Sequence, residues 1–192
     1  MTSVAQPKVH LWTRQEYHRM ADLGLFEGRR VELVEGQVID MAAMKSPHAV
    51  AIDLVDQALK AVFGAGYYIR QQKPLVISDI SEPEPDVAVV PGTIRDYAET
   101  HPTTAVLIVE VADTSLSYDR NIKGSLYAKA GVADYWILNL VKRRLEVRRQ
   151  PVADNQATYG WQYGESVLYD PGQQVSPLAA EGVWVTVEDL LP

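Results

Sequence analysis

The chain has 192 residues, 47% of them hydrophobic and 22% charged, which is ordinary for a globular protein and enough for one domain with a full core. It contains no cysteine, which excludes disulfide frameworks, thiolate zinc sites and cysteine nucleophiles. A net charge of −7 argues against tight sequence-independent binding to nucleic acid, although an acidic cation site would itself contribute to that total.

Residues 1–8 lack a basic region followed by an apolar stretch, and no run approaches the length that spans a bilayer, so a cytoplasmic protein is expected. Thr13-Arg14-Gln15-Glu16 has capping-box spacing, which predicts a short helix to Leu23 before Gly24. Val31–Val34 and Gln37–Met41 flank Glu35-Gly36 as a hairpin. Ser46 and Pro47 open a second helix, with Ile52, Val55, Leu59 and Val62 on its apolar face and its end near Gly64. Extended runs follow at Tyr67–Arg70, Pro74–Ser78, Pro85–Val90 and Ala105–Ala112. A third helix is predicted from Ser115–Tyr118 to Ala130, stopped by Gly131. Tyr135–Leu140 and Arg144–Arg149 form a strand pair around Val141-Lys142-Arg143, and Thr158–Tyr163, Ser166–Tyr169 and Val183–Thr186 are short strand candidates. The pattern defines a mixed α/β (α+β) domain over residues 1–192, with helices packed on a central sheet, a core at about 13–150 and a β-rich extension at about 151–192.

Two carboxylates interrupt apolar runs: Asp86 precedes Val87-Ala88-Val89-Val90, and Glu110 lies between Val106-Leu107-Ile108-Val109 and Val111-Ala112. A charge inside a buried strand costs several kcal/mol unless it is paired or holds a metal. Taken singly, Glu110 reads equally as half of a structural ion pair, and Asp86 as a turn residue at a strand entrance. Together they suggest a cation site. Hard divalent ions take carboxylate oxygens, and Mg²⁺ keeps several waters, so these two acids plus the main-chain carbonyl of Val111 supply half a coordination shell. Lys123 shares a helical stripe with Leu126, Tyr127 and Ala130, which turns it toward the core, while Asp119 four residues earlier allows a solvated surface pair instead. Two acids and a lysine at a sheet edge are the parts of a metal-dependent phosphodiester hydrolase. Glu32 reads as the wet face of the hairpin, and His48 as a hydrogen-bonded core histidine. His10, His18 and His101 share no metal spacing, and the basic residues Lys142, Arg143, Arg144, Arg148 and Arg149 either grip a phosphate backbone or face solvent.

The ordered series Glu84-Pro85-Asp86, Ile108-Val109-Glu110-Val111, Asp119 with Lys123, Leu126–Val132 and Asp134–Ile137 resembles the Uma-type restriction endonuclease family, whose members are similar to PD-(D/E)XK nucleases. Val31–Gly36 and Ser46-Pro47-His48 are similar to its early motifs, so the likeness runs from about residue 13 to 150. The resemblance implies a restriction-endonuclease-like core, Mg²⁺ (with Mn²⁺ as a substitute) held by Asp86 and Glu110, and Glu32 and His48 as helpers at the edge of the site. One departure stands out: the superfamily's lysine two residues after the second acid is here Ala112, and Lys123 takes that role.

The expectation is therefore a Mg²⁺-dependent endonuclease cutting DNA, in which Asp86 and Glu110 bind metal and Lys123 acts on the water or phosphate. Its rivals are a catalytically inactive scaffold of the same fold and a DNA-binding regulator. Tyr135–Leu138, Trp161 and Trp184 leave room for an oligomer interface, and a homodimer or higher homo-oligomer is expected.

Overall fold

The structure is a computed structural model and describes residues 7–192. The leader-free reading of the N-terminus rests partly on residues 1–6, which lie outside the described residues. The described residues form two compact units, the first from residues 7–42 and 76–83, the second from 43–75 and 84–192.

In the first unit the Thr13 capping box forms as its spacing predicts: Glu16 N–H donates to Thr13 Oγ1, and Thr13 N–H donates to the Glu16 carboxylate at 2.9 Å. It opens α1 (Arg14–Asp22). Strands β1 (Val31–Val34) and β2 (Gln37–Asp40) pair antiparallel around a tight turn in which Glu35 and Gly36 both have positive φ, which is what a primed hairpin turn requires. The expected strand Pro74–Ser78 does not form. Val76–Pro83 instead returns alongside β1 through a bridge between Leu33 and Glu82, and Glu82 takes an ion pair from Arg14 at 2.6 Å. Its backbone pairs over long range, which periodicity cannot register.

The second unit is built on a six-stranded mixed sheet of order β3-β4-β5-β6-β7-β8. The strands are β3 (Tyr67–Gln71), β4 (Val87–Pro91), β5 (Leu107–Ala112), β6 (Asp134–Asn139), β7 (Arg144–Ala153) and β8 (Trp161–Tyr169). Only β5 and β6 run parallel, and the chain between them supplies the crossover helix that parallel pairing needs. Side chains alternate across the pleat. Val87, Val89, Leu107, Val109, Val111, Trp136, Leu138, Leu145 and Val147 therefore join one core with Ala51, Ile52, Val55 and Leu59 of α2 (Ser46–Val62). Opposite parity places Glu110, Tyr135, Ile137, Glu146 and Arg148 on the other face.

That second face is covered by the crossover helix, which is less regular than its 3.6-residue stripe predicts. A helical turn α3 (Leu116–Tyr118) passes into a π-helical turn (Asp119–Lys123) and then into α4 (Gly124–Lys129). Single π turns inside α-helices are rare and frequent at functional sites. Gly131 stops the helix with φ +76°, as expected of a left-handed cap. The two strand candidates at 158–163 and 166–169 merge into β8, which continues through Gly164 as an edge strand. Strands β9 (Gln174–Val175) and β10 (Val185–Thr186) form a separate pair. Among the described residues no helix is long and apolar enough to cross a membrane. Tyr135–Leu138 is completely buried inside the sheet, so that segment is not available to an oligomer interface, whereas Trp161 and Trp184 remain partly exposed.

Candidate active site

The antiparallel register of β4 and β5 sets Val87 against Val109, and one further step brings Asp86 opposite Glu110. Both side chains then project on the face that carries the π turn. Asp86 sits just before β4, where Pro85 favours extended backbone, and its N–H donates to Glu110 Oε2 at 3.2 Å. The backbone answers in the other direction, since Val111 N–H donates to Asp86 Oδ2 at 2.9 Å. The remaining oxygen, Asp86 Oδ1, is 3.2 Å from His48 Nε2 on the first turn of α2 and accepts from the Gln72 side-chain amide at 3.2 Å.

Glu110 Oε1 accepts from Tyr127 OH at 2.7 Å and from Lys123 Nζ at 3.3 Å. Lys123 is 1% exposed and Glu110 4%, so the stripe of Lys123, Leu126 and Tyr127 does face inward and the surface-pair reading of Lys123 is excluded. The π turn ends at Lys123 and aligns it with Asp119, whose carboxylate is also buried and accepts from Ser115 Oγ at 2.6 Å.

Burial pushes the Glu110 carboxyl up to about 8, with the charges of Asp86 and Asp119 adding to the effect and Lys123 only partly opposing it. Burial acts in the same sense on Asp86, yet the hydrogen bonds and charge of His48 and the Val111 N–H hold that group below the usual carboxylate range. His48 is disfavoured as a cation by burial, but Asp86, Asp113 and Asp119 more than compensate and raise its pKa. Two facing carboxylates are thus driven apart in proton affinity.

The raised Glu110 group has a consequence for stability. Between its unfolded value near 4.5 and about 8, the folded protein holds a proton that the unfolded chain has released, so stability is full at low pH and declines as pH rises through that window. In metal-free protein, Glu110→Gln should flatten this decline. Thermal melts in chelator at pH 5 and pH 8.5 check it; equal losses in wild type and variant would contradict it.

Asp86, Glu110, Lys123, His48 and Val111 all belong to the second unit; Asp86 donates to Glu110, and each of the other three is hydrogen-bonded to one of these two acids. Glu32 lies on β1 of the first unit and is fully buried, so it is not the wet face of the hairpin. Sequence reasoning missed Gln72 and Tyr127 as site residues. Tyr127 looked like an ordinary member of the apolar stripe, and only its hydroxyl hinted at a polar partner. Gln72 gave no signal: its positive φ of 46° and its N–H bonds to the carbonyls of Pro85 and Asp86 come from pairing across the sheet edge.

The donor set is one of hard oxygen atoms from two acids, which suits Mg²⁺ or Mn²⁺ and not a zinc-type nitrogen or sulfur shell. Among the described residues no group of three or more histidine or acidic side chains gathers as a complete ligand cage. Two acids alone still fit an ion that keeps most of its waters. A divalent charge would also offset the burial and the repulsion from Asp86 and Asp119 that together hold Glu110 protonated.

A mixed sheet flanked by helices, with an N-terminal helix and hairpin, is the fold of a restriction-endonuclease-like domain. The chain belongs to the Uma2 family, described as "Putative restriction endonuclease", which matches residues 14–188. A crystal structure from Anabaena variabilis, described as a "putative nuclease belonging to DUF820", superposes with a TM-score of 0.68. It is 15% identical, and the match covers 93% of this chain and 96% of that one, which is a likeness of fold. No curated protein matches the sequence.

Proposed function

We propose that the protein is a Mg²⁺-dependent endonuclease that hydrolyses phosphodiester bonds of DNA, with Asp86 and Glu110, and the carbonyl of Val111, holding the ion. The observation that carries this reading is the pair of facing buried carboxylates with the Lys123 ammonium 3.3 Å from one of them. Mg²⁺ in such a site lowers the pKa of a bound water and offsets charge on the phosphoryl oxygens. The protein's own groups do the positioning. The Val111 N–H and the Gln72 amide fix the orientation of Asp86, and the imidazole of His48 also meets Asp86 Oδ1. Tyr127 fixes Glu110 in the same way. Lys123 supplies positive charge where water is excluded and where an ammonium has most effect on a developing oxyanion. Water attacks the phosphorus in line with the leaving oxygen, whose bond to phosphorus breaks as the new one forms, and that oxygen leaves with a proton.

A specific observation favours a second reading. Every oxygen of Asp86 and Glu110 already has a donor within the protein, as in a structural network of an inactive scaffold. Incubation with supercoiled and linear DNA separates the two. The nuclease reading expects cleavage with Mg²⁺ or Mn²⁺ and none in chelator, and a scaffold leaves the DNA intact in both.

Cutting both strands of a duplex at once uses two sites, so this reading goes with a homodimer. Light scattering is expected to give twice the mass of a single chain, and a monomer mass at high concentration would contradict a homodimer.

A further inference from the structure

A cavity of about 290 Å³ opens in the second unit between the π turn and the β7–β8 hairpin, lined by residues without a role in the site above. Arg120, in its wall, lies three residues before Lys123 on the same π turn, so the turn offers one cation to Glu110 and another to the cavity. Arg148 reaches the same wall from β7. Both guanidinium groups depend on a single carboxylate: Arg120 grips Glu146 with Nε at 2.9 Å and with a second nitrogen, and Arg148 reaches Glu146 only at 3.6 Å. Arg148 donates otherwise to the Arg120 carbonyl at 3.0 Å, and its Nε is buried without a hydrogen-bond partner. Two cations sharing one acid leave positive charge at this end, and a planar guanidinium with spare donors matches phosphate.

The far end is different. Asp154 lies just past the end of β7, six residues after Arg148, and is already held by the Gln156 N–H and the Gln162 amide. Ala153 pairs with Trp161 across the β7–β8 ladder, so Trp161 joins the wall beside Asp154, and it remains partly exposed. Gly124 also lines the cavity, and a Cβ there would press on the Asp119 carbonyl at 3.3 Å. A cavity with two guanidinium groups at one end, and an aromatic side chain among hydrogen-bonding groups at the other, has the chemistry of one nucleotide.

We propose that this cavity binds a single nucleotide unit of a nucleic-acid strand, with its phosphate on Arg120 and Arg148 and its base against Trp161. Assigning that unit to the substrate strand rests on the nuclease reading; the binding itself does not.

Calorimetric titration of the full chain in chelator with deoxycytidine 5′-monophosphate tests the proposal, with deoxycytidine and inorganic phosphate as separate probes. The nucleotide is expected to bind saturably and at least about tenfold more tightly than either part alone, because the two ends contribute together. Arg148→Gln should weaken it by about tenfold or more through the lost charge-assisted hydrogen bonds. Trp161→Ala should weaken it by about tenfold through lost stacking. Because Arg148 also braces Glu146, Trp161→Ala on the edge strand keeps the test decisive if Arg148→Gln does not fold. Absence of saturable binding overturns the proposal, as do phosphate binding as tightly as the nucleotide and an unchanged affinity in Trp161→Ala. Nucleotide binding by a protein that cuts no DNA leaves this cavity standing and removes only the nuclease reading; cleavage without nucleotide binding does the reverse.

Discussion

Asp86→Asn is expected to abolish metal-dependent cleavage while leaving the protein folded. The substitution keeps the side chain's size and one acceptor oxygen, so the Val111 N–H can still be satisfied, and it removes one of the two charges that hold the ion. Loss of an outer partner of a metal costs about 10–100-fold, and loss of a direct ligand should exceed that. His48 sharpens the prediction, because its raised pKa depends on the charge of Asp86. In the variant that support disappears and His48 should titrate at lower pH, which an NMR titration of the imidazole reads directly. Cleavage at wild-type rate would remove Asp86 from the mechanism, and an unmoved His48 would contradict the pairing itself.

The second large effect is expected at Lys123. Lys123→Met preserves the apolar stem and the volume but leaves Glu110 in a dry environment without its ammonium partner. Breaking a buried pair by removing one member costs about 3–5 kcal/mol. Glu110 has a way to avoid part of this cost, since its carboxyl already holds a proton up to about pH 8 and a neutral acid is content with Tyr127 as its neighbour. The loss should therefore be small at pH 6 and largest near pH 9, where the charge must be buried alone. Urea unfolding at the two pH values measures it. Cleavage should fall at both, because protonation of Glu110 restores stability but not the positive charge. A variant equally stable at both pH values, or one that cuts DNA normally, would contradict this account of Lys123.

These side chains were unequally visible in the sequence. Glu110 announced itself because a single carboxylate inside Leu107–Ala112 has no cheap place to go, and Asp86 because Pro85 and the following apolar run mark a strand entrance. The 3.6-residue spacing places Lys123 on the inward stripe, and it is buried there although it closes a π turn. Local rules also carried α1 with its capping box, the β1–β2 hairpin and the Gly131 stop. What stayed hidden was set by distant partners. Gln72 joins Asp86 because β3 and β4 are neighbours, and the 76–83 segment is held by β1, more than forty residues earlier in the chain. Arg148 reads as one of five basic residues of a charged hairpin, yet strand alternation turns it and Glu146 onto the face under the π turn, where Arg120 meets them. The stretch at 158–169 read as two strands because Gly164 and Glu165 break its apolar pattern, while the long ladder to β7 keeps it continuous.

The most direct test of the shared-ion claim is a crystal soaked in Mn²⁺, with anomalous scattering used to locate the metal. The account predicts a peak within coordination distance of one oxygen from Asp86 and one from Glu110, and its disappearance in Asp86→Asn. A well-diffracting soak with no peak at those carboxylates, and Lys123, Tyr127 and Glu110 unchanged from the metal-free arrangement, would contradict it.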